Sequence, residues 1–366
     1  MAPLKQIEFY SGIGGMHYAA KLAGWDVEIL KAFDINTVAN DIYRHNFNPK
    51  TVGQHLIETL STKYYDDMAA DVWTMSPPCQ PYTRIGLQQG SEDARAKSFL
   101  HLLKVLGEMQ NKPKYILVEN VKGFEVSDSR DMLVNKLKHC DYSFQEFLLT
   151  PLQLGIPNSR MRYYLLAKLK PLAFARPVTS TIITHIPLSE DMTDDFVDTR
   201  VKPGEAVDEE KLVNETVKPV EPLSKYLEHS VHYEPYLVPD KVLAKNSHVF
   251  DIVKPDGHRS CCFTKGYFHY AQGTGSIIQM NKEANTAEVF NKAMTFKGVD
   301  QEKQLELLRT LKLRYFSPRE VSNLMGFPPE FEFPDTSSIK QRYRTLGNSI
   351  SVKLVSELMR YLLKEP

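Results

Sequence analysis

The stretch Ser76-Pro77-Pro78-Cys79-Gln80-Pro81 places one thiol among three prolines, directly after the apolar run Val72-Trp73-Thr74-Met75. Proline fixes φ and removes a backbone donor, so this segment is neither a central strand nor a helix interior. A lone cysteine is most often a buried filler. A stiff loop at the carboxyl end of a strand, where open α/β sheets bind ligands, instead suits a thiol that reacts. A reactive thiolate needs nearby positive charge to fall below its free pKa of about 8.5. Arg160 and Arg162 precede the run Tyr163-Tyr164-Leu165-Leu166, and two residues apart on an extended chain they point the same way. Glu119 closes the strand-like Tyr115–Asn120, where a carboxylic acid can protonate a heteroaromatic ring nitrogen. Each has a plainer reading: a packed thiol, an exposed strand-end carboxylate, a solvated basic turn. Together they suit one difficult reaction. A thiolate adding to carbon-6 of a cytosine, with protonation at ring nitrogen 3, makes carbon-5 nucleophilic enough to accept a methyl group.

A second constellation lies near the N-terminus. Tyr10-Ser11-Gly12-Ile13-Gly14-Gly15 joins a strand-like run to a helix-like one. Glycines permit a tight turn and bring a ligand close to backbone amides at a helix start. The dinucleotide fingerprint needs a third glycine three residues after the second, whereas position 17 here is His17. Asp34 follows at the end of the next strand, where a carboxylate can accept both ribose hydroxyls. The pair fits an adenosine cofactor without phosphates, such as S-adenosylmethionine, better than NAD. The plainer alternatives are a simple strand–helix connection and Asp34 as a helix cap.

The elements that must position these residues alternate. Strand-like QIEFY, VEILKAF, DVWTM, YILVEN, SFQEFLLTP and YYLLAKL are interleaved with helix-like MHYAAKLAG, KSFLHLLKVLGEM and RDMLVNKLKHC. That pattern predicts an α/β fold with a doubly wound, mostly parallel sheet. Residues 187–222 are acidic, broken by proline and short of aromatics, and read as a long loop. Residues 226–290 read as irregular and aromatic-rich, the body of a smaller second domain. SPREVSNLMGFPPEF and RTLGNSISVKLVSELMRYLLK return to helical patterning. The expected division is 1–180 with 335–366 as a catalytic domain and 181–334 as a target-recognition domain.

Composition narrows the class. The 366 residues are 42% apolar and 25% charged, with 45 basic and 45 acidic side chains. Net charge therefore offers no general basic excess for nucleic acid. Four cysteines without regular spacing make neither a disulfide framework nor a zinc site, so no metal is expected. The N-terminus lacks a signal-peptide profile, and no apolar run nears the roughly 20 residues needed to cross a bilayer. A reducing, cytoplasmic setting, with the nucleus as a second, is the expectation, without membrane association.

The motifs EFYSGIGG, FDIN, SPPCQPYTRIG, ENVKGF, NSRMRYYLLA, SPREVSNLMGFPPEF and RYRTLGNSIS occur in that order. In them the chain resembles the cytosine carbon-5 methyltransferases, over about residues 7–168 and 312–357. The resemblance implies the α/β fold of S-adenosylmethionine-dependent methyltransferases with a small target-recognition domain. It implies Cys79 as nucleophile, Glu119 as donor to ring nitrogen 3, and Arg162 with Arg160 at the target base. It sets the cofactor S-adenosylmethionine, leaving as S-adenosylhomocysteine, against Tyr10, Gly12, Ile13, Gly14 and Gly15. Asp34 would hold its ribose, Ile57 and Glu58 would flank its adenine, and Ser76, Asn348 and Ser349 would complete the pocket. DNA-modifying relatives usually carry Gln before the Arg-x-Arg pair, where this chain has Asn158. Their large regulatory regions are absent, and Cys262-Phe263-Thr264 is similar to a signature of the tRNA-modifying branch. That branch implies tRNA as partner, cytosine 38 in the anticodon loop of tRNA-Asp as target, DNA as at most a weak substrate, and a monomer. Arg84, Lys122, Cys262, Phe263, Thr264, Lys265, Tyr267 and Tyr270 are candidate nucleic-acid contacts. The competing readings are a DNA cytosine methyltransferase, an idle nucleic-acid-binding protein, and an amino-methyltransferase. The last is disfavoured because Cys79 stands where such enzymes place an aromatic residue.

Overall fold

Buried strands on both faces of a sheet read as unbroken apolar runs, and that is how the core of this chain is built. A computed structural model describes residues 2–78, 97–187, 219–229, 232–270 and 272–366. Cys79, Arg84 and most of the acidic segment lie outside the described residues. Seven strands form one sheet: β1 (Leu4–Phe9), β2 (Val27–Phe33), β3 (Val52–Gly53), β4 (Val72–Met75), β5 (Tyr115–Val121), β6 (Tyr142–Leu149) and β7 (Arg162–Leu169). Their order is β3-β2-β1-β4-β5-β7-β6. The first five run parallel, and β7 is antiparallel to both β5 and β6. The expected doubly wound sheet is present, with a reversed strand inserted at one side.

Helices α1 (Gly15–Ala23), α2 (Thr37–Asn46), α3 (Thr62–Met68), α4 (Lys97–Glu108) and α5 (Asp128–His139) connect these strands. The helix after Asp34 is capped by Asn36, whose Oδ1 accepts from the amides of Val38 and Ala39. Asp34 is therefore not that helix's cap. One apolar cluster lies under α3, α4 and α5. A second lies under α1 and continues without a break into the smaller sheet. That sheet has order β10-β9-β8, from β8 (Asp251–Val253), β9 (Ser276–Gln279) and β10 (Leu313–Tyr315).

The region read as irregular is more regular than its sequence pattern. It contains α6 (Asp240–Asn246) and leads into α7 (Thr286–Met294) and α8 (Gln301–Arg309). Each is only seven to nine residues long and shows few turns of periodicity; the caps Asn285 and Asp300 were the legible signal for α7 and α8. α9 (Pro318–Leu324) and α10 (Ile339–Gly347) follow, each opened by a capping box, Ser317/Glu320 and Ser338/Gln341. The final helical run is divided: α10 stops at Gly347 and α11 (Val352–Leu363) starts afresh. α11 packs on α1 and returns the chain to the large sheet, where the Tyr361 hydroxyl donates to Gln145 Oε1 at 2.9 Å. The buried ammonium of Lys168 donates to the Lys364 carbonyl at 2.8 Å, fastening the C-terminal end. No helix among the described residues is long and apolar enough to cross a membrane.

β1 also buries an acid. Glu8 is fully covered, accepts from Gln6 Nε2 at 3.1 Å, and its Oε2 has no hydrogen-bond partner among the described residues. Burial pushes its carboxyl up to about 8, against weaker pulls from Tyr43 and Gln6. A folded-state pKa above the unfolded value gives stability that is complete below the unfolded pKa and lost as pH rises through the folded one. Glu8→Gln removes this dependence. Its stability is expected to gain on the wild type between pH 5 and 8, by on the order of 3–5 kcal/mol, read as a growing difference in melting temperature. Parallel melting curves across that range would remove Glu8 from the account.

Candidate active site

The carboxyl ends of β1, β2, β4 and β5 make one rim, and the chemistry-bearing residues lie along it. The turn after β1 is tight: Gly14 N donates to Ser11 O at 3.0 Å, and Gly12 and Gly14 have φ of 54° and 86°. At Gly14 a side chain is impossible, because a Cβ would lie 2.4 Å from the Phe47 ring. Gly12 N donates to Asp34 Oδ2 at 2.9 Å, and Asn36 N donates to Oδ1 at 2.8 Å. The turn and the acid, 22 residues apart, are thus bonded to each other. Each carboxylate oxygen keeps a further lone pair for a hydroxyl. Burial raises the Asp34 pKa, while the amides of Asn36 and Gly12 oppose the rise.

The other expected pocket residues surround this pair. Ile13 and Ile57 are buried, Glu58 is half-buried, and the Tyr10 hydroxyl lies 2.9 Å from Ser98 Oγ. Ser349 is 9% exposed and lies against Gly15, where a Cβ would meet its Oγ at 3.2 Å; Asn348 beside it is exposed. Ser76 Oγ is buried with no hydrogen-bond partner among the described residues. That orphaned hydroxyl and the glycine cradle fit a polar adenosine-type group on this rim. One residue escaped sequence reasoning. Ile35, next to Asp34, is 70% exposed, an apolar side chain held out beside the ribose-type carboxylate; only its exposure reveals it.

At the end of β5, Glu119 is 7% exposed and its Oε1 lies 3.5 Å from Arg162 Nε. Burial raises its pKa, and the guanidiniums of Arg162 and then Arg160 moderate the rise. The acid therefore keeps its proton to higher pH than a free carboxylic acid does. β4 pairs with β5 so that Met75 faces Val118, and Asn120 Nδ2 donates to the Pro77 carbonyl at 3.3 Å. Asn120 thereby fixes the first proline of the segment leading into Cys79.

The arginine pair contacts a thiol, and among the described residues that thiol is Cys262. Its Sγ accepts from Arg160 Nη1 at 3.3 Å and Arg162 Nη2 at 3.6 Å. Burial works to raise the Cys262 pKa, and Arg160 and Arg162 outweigh it, holding the thiol below its ordinary value. Asn158 Nδ2 donates to Ser260 Oγ at 3.1 Å and to the Cys261 carbonyl at 3.2 Å, tying the same loop from the other side.

Two expected nucleic-acid contacts are corrected. Phe263 and Tyr267 are 2% and 3% exposed and pack edge-to-face on each other. The Tyr267 hydroxyl donates to Ser276 O at 2.7 Å and accepts from Phe316 N, so both aromatics are core of the small sheet. Apolar surface and a paired hydroxyl outweigh any surface role. Lys122, Lys265 and Tyr270 are exposed, and Thr264 is half-buried. No group of three or more metal-ligating side chains is found among the described residues.

Fold and rim define an α/β protein of the methyltransferase type. The family model for C-5 cytosine-specific DNA methylases matches residues 4–364. The chain is 40% identical to the human protein named tRNA (cytosine(38)-C(5))-methyltransferase, over 99% of this chain and 100% of that one. It is 38% identical to a Dictyostelium discoideum protein named DNA (cytosine-5)-methyltransferase, over 99% and 95%. Among solved structures, a Spodoptera frugiperda DNMT2 mutant superposes with TM-score 0.81 at 41% identity, covering 99% of this chain and 100% of that one. The chain belongs to the C-5 cytosine-specific methylase family. Its cofactor is S-adenosylmethionine, the methyl donor of that family.

Proposed function

We propose that this protein methylates carbon-5 of cytosine 38 in the anticodon loop of tRNA, with tRNA-Asp as substrate, through a covalent Cys79 adduct. The observation that carries the chemistry is Glu119: a buried carboxyl with a raised pKa, 3.5 Å from Arg162, at the end of the strand beside β4. Cys79 thiolate adds to carbon-6 while Glu119 gives its proton to ring nitrogen 3, leaving carbon-5 electron-rich. Bound S-adenosylmethionine supplies the methyl group that carbon-5 takes up. Loss of the carbon-5 proton to solvent water then lets the carbon-6–sulfur bond break, restoring the Cys79 thiolate, and the nitrogen-3 proton returns to Glu119. Arg162, with the Glu119 carboxyl, orients the base. Tyr10, Gly12, Ile13, Gly14, Gly15, Asp34, Ile57, Glu58, Ser76, Asn348 and Ser349 hold the cofactor.

The substrate reading is supported by the human relative's name and by the modest equipment of the small domain. Flipping a base out of a duplex costs a few kcal/mol, and less from an unpaired loop. A chain with zero net charge is better matched to a loop read by shape and stacking. The test is labelled S-adenosylmethionine with tRNA-Asp transcript, the same transcript lacking cytosine 38, and duplex DNA. Label is expected in the first alone at an appreciable rate. Faster labelling of duplex DNA would transfer the substrate assignment to DNA.

A further inference from the structure

Three segments distant in sequence converge on Arg160. Its guanidinium is 3% exposed and donates from Nη1 to Cys262 Sγ at 3.3 Å and to the Phe263 carbonyl at 3.0 Å. From Nη2 it donates to the carbonyls of Gly347, at 3.3 Å, and Ser349. Gly347 approaches the Thr264–Lys265 backbone so closely that a Cβ would lie 2.2 Å from Lys265 N. On its other side the same loop presses on the glycine turn, where a Cβ on Gly15 would meet Ile350 Cγ1 at 2.7 Å. The β6–β7 connection completes the junction: Ser159 N donates to Ser260 O at 2.9 Å, and Ser260 Oγ donates to the Pro157 carbonyl at 2.6 Å. Direct contact therefore runs unbroken from Gly15, through Ser349 and Arg160, to Cys262 and Thr264.

We propose that Arg160 is a positioning residue that joins the cofactor pocket to the Cys262–Lys265 loop, so that filling the pocket orders this loop before any nucleic acid arrives. Close-packed surfaces move together or not at all, and the junction leaves no slack at either Gly347 or Gly15. A planar guanidinium with five fixed donors can hold acceptors from two loops at once; an ammonium is a point charge and cannot copy that fork. The four acceptors here, one thiol and three carbonyls, come from both loops. The inference rests on the glycine turn as the cofactor pocket and is independent of which nucleic acid is methylated.

Amide hydrogen exchange on the full chain, with and without saturating S-adenosylhomocysteine, reads this coupling. In the wild type, amides of Cys261–Tyr267 are expected to slow at least about fivefold on ligand addition, the lower end of ordinary inter-site coupling. In Arg160→Lys, which keeps the charge and loses the fork, slowing is expected only at the glycine turn and the Asn348–Ile350 segment. Gly347→Ala, which forces the two loops apart, is expected to behave alike. Unchanged exchange of Cys261–Tyr267 in the wild type would overturn the proposal without any variant having to fold. Full retention of loop protection in Arg160→Lys would overturn it equally. Neither result depends on tRNA methylation, so failure of the substrate reading and failure of this coupling are told apart.

Discussion

Glu119→Gln is expected to slow methyl transfer about 10²–10⁴-fold, the usual contribution of a positioned general acid, with S-adenosylhomocysteine binding unchanged. Glutamine keeps the volume and one hydrogen bond but has no proton to transfer, so the test isolates protonation from positioning. The sign of the pH dependence follows from the site. Burial raises the Glu119 pKa and Arg162 and Arg160 hold it partly back. The active, protonated form is thus complete at low pH and lost as pH rises through the folded-state value, giving the wild-type kcat profile an alkaline limb. Glu119→Gln is expected to lack that limb. A variant whose profile keeps the wild-type alkaline limb would assign the limb to another group and remove Glu119 as the acid.

Cys79→Ala is expected to lose methyl transfer by on the order of 10⁴-fold or more, since no side route activates carbon-5 once the nucleophile is gone. Capture on tRNA carrying 5-fluorocytosine, where the carbon-5 substituent cannot leave as a proton, is expected to yield a denaturation-resistant complex with the wild type and none with Cys79→Ala. A second thiol makes the comparison sharp. Cys262 is held below its ordinary value by Arg160 and Arg162, after burial has worked the other way. Cys262→Ala is expected to retain covalent capture. Capture that survives in Cys79→Ala and vanishes in Cys262→Ala would move the nucleophile to the Cys261–Lys265 loop. Combining Cys79→Ala with Glu119→Gln is expected to cost little more than Cys79→Ala alone, because both act in one addition step.

Much of this site was legible in the order of residues. Local chemistry makes its own signal: glycines at Gly12 and Gly14 stand where φ is positive, and prolines mark the end of β4 at Met75. Glu119 follows an apolar strand and sits on the rim as its position required. The parallel sheet followed from strand-like runs alternating with helix-like ones, even though β1 buries Gln6 and Glu8 among its apolar residues. Periodicity failed where helices are short, at α6, α7 and α8; for α7 and α8 the caps Asn285 and Asp300 were a better guide than their faces.

What sequence could not supply was distance between remote segments. Phe263 and Tyr267 were candidate nucleic-acid contacts beside a lysine, and packing against Phe316 and Tyr343 puts them in the core. Arg160 and Arg162 looked alike, two apart in one motif. The fold separates them: Arg162 lies against Glu119, while Arg160 is held by carbonyls 103 to 189 residues away. Residue type and local spacing fix which reactions a chain is able to perform, since reactivity belongs to functional groups. Which group meets which partner depends on contacts closed across long loops, and for Cys262, Arg160 and Gly347 those contacts exist only once the two sheets share one core.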